Sequence, residues 1–336
     1  VYCVRAVFFS FLFLAARVEA EEKTSYSIGF IGALSGPAAL YGTAAKRGVE
    51  MALEETPRDK QPVFIFEDDG FDPQRTVSIY QLLRTKVDLI ISLGSSPTAA
   101  IAPLAERDRV PLLSWASDPE VSKNRLYILR IYPRGEDEGI FMAKLIRDQG
   151  KTPLSVVTAA DNYSTSVLRG FTSILSPALL IDSISPAERD FRSLTLRLRP
   201  SRTIFLCLAA GQVGVFASSL SRAGIEARLY GCETFNSKAE AAQGPLTGSL
   251  FATVDIVDTF RAEYLRRFGE DQVLSGAAIY YDVTKHLVKV FHTEGKLTKE
   301  ALLGRIKKIP FEGKALRSAR FHAKDGEVYL DVSLIA

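Results

Sequence analysis

The hydrophobic residues of the chain fall into two alternating patterns. Short continuous apolar runs, such as residues 27–32, are typical of strands that are buried on both faces. Between them lie segments such as that of Ala45, Val49, Ala52 and Leu53, in which apolar residues recur every three to four positions and predict an amphipathic helix. Further strands are predicted at 63–66, 87–93, 112–113, 154–157, near Leu179, 203–208, 228–230 and 328–335, and further helices at 73–85, 97–106, 164–175, near Phe191, 212–222, 258–268, 276–291 and 299–307.

This alternation predicts the fold class. Continuous apolar strands separated by amphipathic helices indicate parallel sheets with both faces covered, so the chain is predicted to be a doubly wound α/β protein. A length of 336 residues suggests about two domains. Because no flexible tether separates two such units, we expect interlocking lobes with a ligand cleft at the carboxyl ends of their strands.

The first twenty residues have the pattern of a secretory signal. Arg5 precedes an apolar run at 6–16, and Val18-Glu19-Ala20 offers a small-residue cleavage site. The run is shorter than the ~20 residues that span a bilayer. We therefore predict a signal peptide at residues 1–20 and an exported mature protein. A buried first strand or a membrane anchor is the alternative.

Charge and composition argue against nucleic acid and metal as partners. Lys and Arg number 42 against 39 Asp and Glu, and a net charge of +3 is too small for the electropositive surface that nucleic-acid binding needs. The histidines and cysteines are scattered and lack the spacing of a metal or haem site, so no metal and no cofactor is expected. These residues are His286, His292, His322, Cys3, Cys207 and Cys232.

Two cysteines remain after the predicted signal. Cys207 and Cys232 lie on strands that we expect to be neighbours in the second lobe. An oxidising compartment permits a disulfide between them. Side chains on adjacent parallel strands seldom meet disulfide geometry, so two buried free thiols are favoured.

The sequence lacks the motifs of an enzyme. The glycines of residues 29–32 follow a strand but do not have the spacing of a dinucleotide-binding loop, and no G-x-S-x-G elbow occurs. Asp282 and His286 are four residues apart on a helix, where a packed or surface pair is favoured over catalysis. Asp68 and Asp69 are interpreted as a turn rather than a metal site. A secreted α/β hydrolase would need a nucleophile beside a base, and none is visible.

Hydroxyl-rich loops follow two of the predicted strands. Residues 94–98 place hydroxyls and unpaired backbone N–H groups at a helix start, where an anion such as a carboxylate is stabilised. Residues 114–119 follow the next strand and offer the same groups. Ser96 is the predicted N-cap of the helix at 97–106. Capping without ligand binding is the alternative for either loop taken alone.

Residues 28–42, with the sequence IGFIGALSGPAALYG, followed by KRGVEMA at 46–52, resemble the N-terminal signature of type I periplasmic binding proteins of ABC transporters. The resemblance is closest to the leucine/isoleucine/valine-binding branch and covers nearly the whole predicted mature chain. It continues through 95–98, 111–119, 129–130, 161–163, 190–191, 223–224, 231–233, 277–283 and 325–326.

The resemblance implies two lobes joined by three crossings of the chain. The crossings are expected near 128–133, 253–258 and 328–332. Lobe 1 would then comprise residues 21–131 and 256–329, and lobe 2 residues 132–255 and 330–336. A small ligand would be trapped between the lobes.

The resemblance also implies roles for residues of the first lobe. In the amino-acid binders of the family, this lobe holds the α-carboxylate of the ligand. By motif match, Ser95 or Ser96, the backbone of Ala116 and Ser117 would carry that role. Tyr41 would line the pocket for the ligand side chain.

In the second lobe, the resemblance assigns Tyr163 to cover the ligand and Glu233 to accept hydrogen bonds from its ammonium. An exposed carboxylate at a strand end is the alternative for Glu233. Trp115 either stacks on the ligand or packs behind its loop. The chain departs from the family at Ser164, where glycine is usual, and at 209–211, where an aromatic residue is missing.

The predicted function follows from these features. We expect a non-enzymatic, periplasmic solute-binding protein that captures an amino acid or a related small carboxylate or amide and delivers it to the membrane permease of an ABC transporter. The alternative is a ligand sensor of the same fold. We expect a monomer.

Overall fold

The computed structural model describes residues 25–150, 153–176, 179–292, 295–324, 326–331 and 333–336. The predicted signal peptide at 1–20 and Val332 of the third predicted crossing lie outside these ranges. The described strands are β1 (Ser27–Gly32), β2 (Val63–Asp68), β3 (Leu89–Leu93), β4 (Leu112–Trp115), β5 (Ile128–Arg130), β6 (Leu154–Ala159), β7 (Leu180–Ile184), β8 (Thr203–Cys207), β9 (Arg228–Gly231), β10 (Leu250–Phe251), β11 (Thr253–Val254), β12 (Arg320–Lys324), β13 (Glu327–Asp331) and β14 (Leu334–Ile335).

The described α-helices begin where sequence signals place them in several cases. They are α1 (Ala39–Glu54), α2 (Pro73–Leu83), α3 (Ser95–Asp108), α4 (Gly135–Asp148), α5 (Asn162–Ile174), α6 (Arg192–Arg197), α7 (Val213–Arg222), α8 (Lys238–Gln243), α9 (Asp258–Phe268), α10 (Leu274–Phe291) and α11 (Lys299–Lys308). The Asp72 side chain accepts hydrogen bonds from the N–H groups of the first turn of α2, and Asp161 and Thr298 cap α5 and α11 in the same way.

Twelve of the described strands form two large sheets, one in each lobe, and β11 and β14 form a third sheet of two strands. The first has the order β12-β13-β5-β4-β3-β1-β2 and the second β10-β9-β8-β6-β7. Every pairing in the two large sheets is parallel except that of β12 with β13, which is antiparallel. The predicted fold class is confirmed, because long-range parallel pairing with helical crossovers is what the alternating pattern indicated.

The chain passes between the two sheets three times. It leaves the first sheet after β5, returns between β10 and α9, and leaves again after β13. Strand β14 then pairs with β11 in a short antiparallel ribbon beside the second crossing. The lobe boundaries predicted at 131/132 and 255/256 fall between elements. The boundary predicted at 329/330 falls inside β13, because the residues of this strand pair with β12 as far as Asp331.

Some elements differ from the prediction. The strand predicted at 328–335 is two strands, because β13 pairs with β12 whereas β14 pairs with β11. Helix α4 was not predicted, since Gly135 and Gly139 lower its helical propensity. Helix α8 and strands β5, β10, β11 and β12 were not predicted either. Strand β12 is at the sheet edge and is largely exposed, so it lacks an apolar run.

Helices α4 and α5 approach each other backbone to backbone. A Cβ atom on Gly139 would lie 2.0 Å from the carbonyl oxygen of Val167, and one on Gly170 would lie 2.0 Å from that of Glu136. Such distances leave no room for a side chain, so the glycines allow the two helices to pack in direct contact. The contact fixes the side chains that α4 and α5 present to the rest of lobe 2.

A buried ion cluster lies at the first and third crossings. The Glu327 carboxylate of β13 is 2.9 Å from Arg130 Nε and 3.0 Å from Arg134 Nε. Burial lowers the pKa of Arg130, and the charge of Glu327 opposes that shift. Arg134 also pairs with Glu136 of α4, at 2.6 Å. The cluster therefore links the sheet of lobe 1 to a helix of lobe 2.

The glycine contact predicts the effect of adding a methyl group. Gly170→Ala should lower the free energy of unfolding by about 1–3 kcal/mol, because the backbone of α4 must move away. Gly304→Ala is the matched control, since a Cβ there meets nothing within 4 Å. The control should stabilise helix α11 by up to ~1 kcal/mol. Urea unfolding measures both. Equal effects of the two changes would contradict the packing described here.

The ion cluster predicts a loss of stability for Glu327→Gln. Arg130 would keep its buried charge without a counterion, a situation that costs about 3–5 kcal/mol. The control is Asp190→Asn, which breaks the exposed Arg192 pair at 2.6 Å and should change little. The measurement is the urea midpoint of both variants at pH 7. A Glu327→Gln midpoint equal to that of the control would show that the cluster does not stabilise the fold.

Candidate functional site

A cavity of about 410 Å³ lies between the two lobes, at the carboxyl ends of the strands. Seven of the eight predicted site residues line it: Tyr41, Ser95, Ser96, Trp115, Ser117, Tyr163 and Glu233. The eighth, Ala116, does not line it. Its carbonyl oxygen instead accepts a hydrogen bond from Arg130 Nη1 at 3.0 Å. The structure thus brings together residues that are up to 192 positions apart, from Tyr41 to Glu233.

The first side of the cavity is the start of helix α3. This helix begins at Ser95, so the prediction of Ser96 as the N-cap of a helix at 97–106 is wrong. Gly94 occupies the cap position with a φ of 94°, and a Cβ there would lie 2.3 Å from the Phe71 ring. The backbone N–H groups of Ser95 and Ser96 make no hydrogen bond within the described residues. They are donors for an anion at the positive end of the helix dipole.

The Ser95 hydroxyl connects the two hydroxyl-rich loops. Its oxygen accepts hydrogen bonds from the backbone N–H groups of Ser117, at 3.1 Å, and Asp118, at 3.2 Å. The N–H of Ser117 is therefore already used, whereas the Ser95 hydroxyl proton has no acceptor among the described residues. That proton and the Ser117 hydroxyl are the side-chain donors that this part of the cavity offers.

Aromatic rings form the next part of the cavity. The Trp115 ring packs at 5.8 Å from Tyr41 and 5.7 Å from Tyr132, and all three residues line the cavity. Trp115 also packs on Tyr280 at 5.6 Å and is 6% exposed. It therefore packs in the core of lobe 1 and also presents an edge to the cavity. Burial raises the pKa of Tyr41, which keeps its hydroxyl neutral.

Lobe 2 contributes Tyr163 from the first turn of α5. Its hydroxyl donates a hydrogen bond to Glu138 Oε2 on helix α4, at 2.8 Å. Glu138 is buried, and burial raises its pKa to about 8. The sequence analysis did not identify Glu138, because it lies on the helix that was not predicted.

Glu233 follows β9 in a single 3₁₀ turn and is 4% exposed, so the interpretation as an exposed strand-end carboxylate is wrong. Its Oε1 accepts a hydrogen bond from the Ser275 hydroxyl of lobe 1 at 2.8 Å. Its Oε2 is buried and has no hydrogen-bond partner in the described part of the chain. Burial raises the pKa of Glu233, and the hydrogen bond from Ser275 opposes this.

Several lining residues were missed by the sequence analysis. Arg189 is the one cation among the described lining residues and lies on an exposed loop between β7 and α6. Gln212 holds this loop by donating to the carbonyl oxygens of Ser185, at 2.9 Å, and Glu188, at 3.1 Å. Polar loops carry no periodic pattern, so only the topology reveals that they reach the cavity. Phe71, Tyr132, Asp161 and Thr234 also line it.

The two lobes touch across the cavity. Ser96 of lobe 1 donates to Asn162 Oδ1 of lobe 2 at 3.2 Å, and the Asn162 amide donates to Asp118 Oδ2 at 3.1 Å. Together with the bond between Ser275 and Glu233, these contacts are polar and few. Such contacts are easily exchanged with water when two lobes separate.

The other candidates from the sequence have structural roles. Asp282 accepts hydrogen bonds from the N–H groups of residues 314–316, and His286 bonds the carbonyl oxygen of Ile306 at 3.0 Å. Asp68 accepts hydrogen bonds from the Ser35 hydroxyl and from the backbone N–H groups of Leu34, Ser35 and Gly70. These hydrogen bonds outweigh the effect of burial and hold the pKa of Asp68 at about 2.

The described residues contain no group of three acidic, histidine or cysteine side chains placed to hold a metal ion. Cys207 and Cys232 are both buried and free, as predicted. Within the described ranges, no helix has the length and apolar character needed to cross a membrane.

Comparison with known proteins identifies the class. The model of the periplasmic binding protein family matches residues 25–335, so the chain belongs to that family. The Leu/Ile/Val-binding protein of Citrobacter freundii is 24% identical over 264 residues, which are 70% of this chain and 72% of the relative. The chain is therefore a solute-binding protein of this non-enzymatic family and is similar to Leu/Ile/Val-binding proteins.

Solved structures share the fold. The branched-chain amino acid substrate-binding protein LivJ of Streptococcus pneumoniae, in complex with isoleucine, has a TM-score of 0.76 at 19% identity, covering 93% of this chain and 100% of that one. A solute-binding protein of R. palustris in complex with benzoate also has a TM-score of 0.76, at 16% identity, covering 91% and 95% of the two chains. At such identities the likeness extends to the fold alone.

Proposed function

We propose that the protein captures an amino acid with an apolar side chain between its lobes and delivers it to the permease of an ABC transporter. The observation that carries this proposal is Glu233, which lines the cavity and whose buried Oε2 has no hydrogen-bond partner in the described residues. A buried acceptor without a donor is costly, and a ligand ammonium would satisfy it. In this proposal the protein acts in the periplasm as a monomer.

The opposite end of an amino acid needs donors. The unpaired N–H groups of Ser95 and Ser96, the Ser95 hydroxyl proton and the Ser117 hydroxyl supply them in lobe 1. Between these ends the lining is mostly apolar and includes Tyr41, whose ring packs against Trp115. A site with donors at one end and a fixed anion at the other suits a zwitterion, whose burial would otherwise cost several kcal/mol for each charge.

The class of ligand is tested by thermal shift of the purified protein. The panel contains amino acids, their amides, and matched carboxylates without an amine, including benzoate. A ligand at a hundredfold excess over its Kd stabilises the folded state by about 2.7 kcal/mol. Amino acids with apolar side chains should raise the melting temperature. A response to benzoate and fatty acids alone would contradict the role given to Glu233 and would favour Arg189 as the partner of the ligand.

Glu233→Gln tests the ammonium site directly. Removing one partner of a buried ion pair costs about 3–5 kcal/mol, so the Kd for an amino acid should rise by roughly two to three orders of magnitude. Glu226→Gln, an exposed glutamate of the same lobe, is the control and should leave the Kd unchanged. Calorimetry measures both. An unchanged Kd in Glu233→Gln would show that this carboxylate does not bind the ligand.

The two lobes should contribute to different steps of binding. Ser117→Ala should mainly slow association, because the ligand docks first on lobe 1, and Tyr163→Ala should mainly speed release, because Tyr163 closes over the bound ligand. Trp115 is the sole tryptophan of the chain and lines the cavity, so stopped-flow fluorescence reports both steps. If both variants altered only the association rate, or if scattering curves did not change with saturating ligand, closure of the lobes would be excluded.

A further inference from the structure

One titratable group lies directly behind the cavity and has no part in the ligand contacts proposed above. Glu138 is 1% exposed, and its Oε2 accepts the hydroxyl proton of Tyr163 at 2.8 Å. Tyr163 lines the cavity, so Glu138 is one hydrogen bond away from the ligand space. The other oxygen, Oε1, is buried and has no hydrogen-bond partner among the described residues.

The position of Glu138 is rigid. It lies on α4 beside Gly139, where a Cβ would come within 2.0 Å of the Val167 carbonyl oxygen of α5, the helix that carries Tyr163. Two helices in backbone contact hold their side chains at a fixed separation. The orientation of the Tyr163 ring is therefore set by a carboxyl group that cannot move away from it.

The described groups that act on Glu138 are acids, tyrosines and a cysteine. The titratable groups that face it are Tyr163 of α5, Tyr41 of α1, Tyr132 after β5, Asp137 of its own helix, and Cys232 and Glu233 after β9. No Lys or Arg within the described ranges forms an ion pair with it. Burial raises the pKa of Glu138 to about 8, and the nearby charge of Glu233 adds to the rise.

We propose that Glu138 is a positioning residue for Tyr163 and that ligand binding releases a proton from its carboxyl group to the solvent. This inference rests on the proposed function, because it requires a ligand that brings a positive charge to Glu233. In the free protein at neutral pH, most Glu138 carboxyl groups hold their proton. When the ligand ammonium is bound beside Glu233, it stabilises the carboxylate form of Glu138.

Two opposing influences act on the pKa of Glu138 when the amino acid binds. Closure of the lobes removes water and favours the neutral acid, but Glu138 is already 1% exposed, so little hydration remains to be lost. The charge of Glu233 already acts on Glu138, so a positive charge bound beside Glu233 opposes it and lowers the pKa of Glu138. The ammonium therefore dominates, the pKa of Glu138 falls on binding, and the affinity rises with pH until the carboxyl of the free protein is ionised.

The experiment is calorimetry with the amino acid that gives the largest thermal shift, in two buffers of different ionisation enthalpy. The wild-type protein should release a substantial fraction of a proton at pH 7 and almost none at pH 9. Its affinity should rise up to about tenfold between pH 7 and pH 8.5, since release of one proton gives at most tenfold for each pH unit.

Glu138→Gln keeps an oxygen that accepts from Tyr163 but cannot titrate. It should remove the part of the proton release that comes from this carboxyl group and weaken the dependence of the affinity on pH, with little change in the dissociation rate. Glu138→Ala should instead speed dissociation severalfold, because Tyr163 loses its partner. Glu226→Gln should behave as wild type. Release of the same number of protons by Glu138→Gln and by wild type would overturn the proposal.

Tyr163→Phe provides a second variant in case changes at Glu138 prevent folding. It keeps the ring and removes the hydrogen bond that stabilises the carboxylate, so the midpoint of proton release should move to higher pH. A midpoint identical to that of wild type would also overturn the proposal. Failure of the proposed function is seen separately, since in that case no amino acid shifts the melting temperature of the wild-type protein.

Discussion

The buried carboxylate of Glu327 is the group on which the arrangement of the two lobes depends. It lies on the last strand of lobe 1 and pairs with Arg130, at the end of β5, and with Arg134, at the start of α4. Glu327 lies at the third crossing of the chain, and Arg130 and Arg134 lie at the first. A buried charge pair with several hydrogen bonds is costly to break, whichever lobe moves. The crossings are thus held together at one point while the lobes on either side are joined by few polar contacts.

The same arginine organises one side of the cavity. Arg130 Nη1 donates to the carbonyl oxygens of Ala116 at 3.0 Å, Tyr132 at 3.0 Å and Pro133 at 3.2 Å. Ala116 lies between the lining residues Trp115 and Ser117. A guanidinium that satisfies three carbonyl groups fixes loops that contain no regular hydrogen bonding of their own. This explains why Ala116, though absent from the lining, is placed between residues that form it.

The fold could be predicted from the sequence because the hydrophobic pattern of its strands and helices repeats along the whole chain. Apolar strands at 27–32 and 203–208 and amphipathic helices at 258–268 are found where the hydrophobic pattern placed them. The elements that were missed are those in which another constraint overrides this pattern. Helix α4 carries glycines because it must touch α5, and those glycines lower its helical propensity.

The site was only partly predictable for the same reason. Hydroxyl-rich loops and a resemblance at Tyr163 and Glu233 point to residues that line one cavity. Neither of these two features predicts that the Ser95 oxygen already accepts hydrogen bonds from two N–H groups, or that Glu233 is buried against Ser275 of the other lobe. Such properties depend on pairs of residues far apart in sequence, and a single sequence does not show those pairs. Glu138 is the extreme case, since it does not line the cavity itself and is linked to it by a hydrogen bond to Tyr163.

The distribution of polar groups makes the two lobes chemically unequal. Lobe 1 presents donors at the start of α3, whereas lobe 2 presents the carboxylates of Glu233 and Asp161. Arg189 of lobe 2 lies on an exposed loop, where solvent screens its charge and where an unused guanidinium costs little. Glu233 is buried, so its unpaired oxygen is a cost that the free protein bears until a donor arrives. An unsatisfied buried group constrains a ligand more strongly than an exposed one, and for this reason the proposed function pairs the charge of the ligand with the Glu233 carboxylate rather than with Arg189.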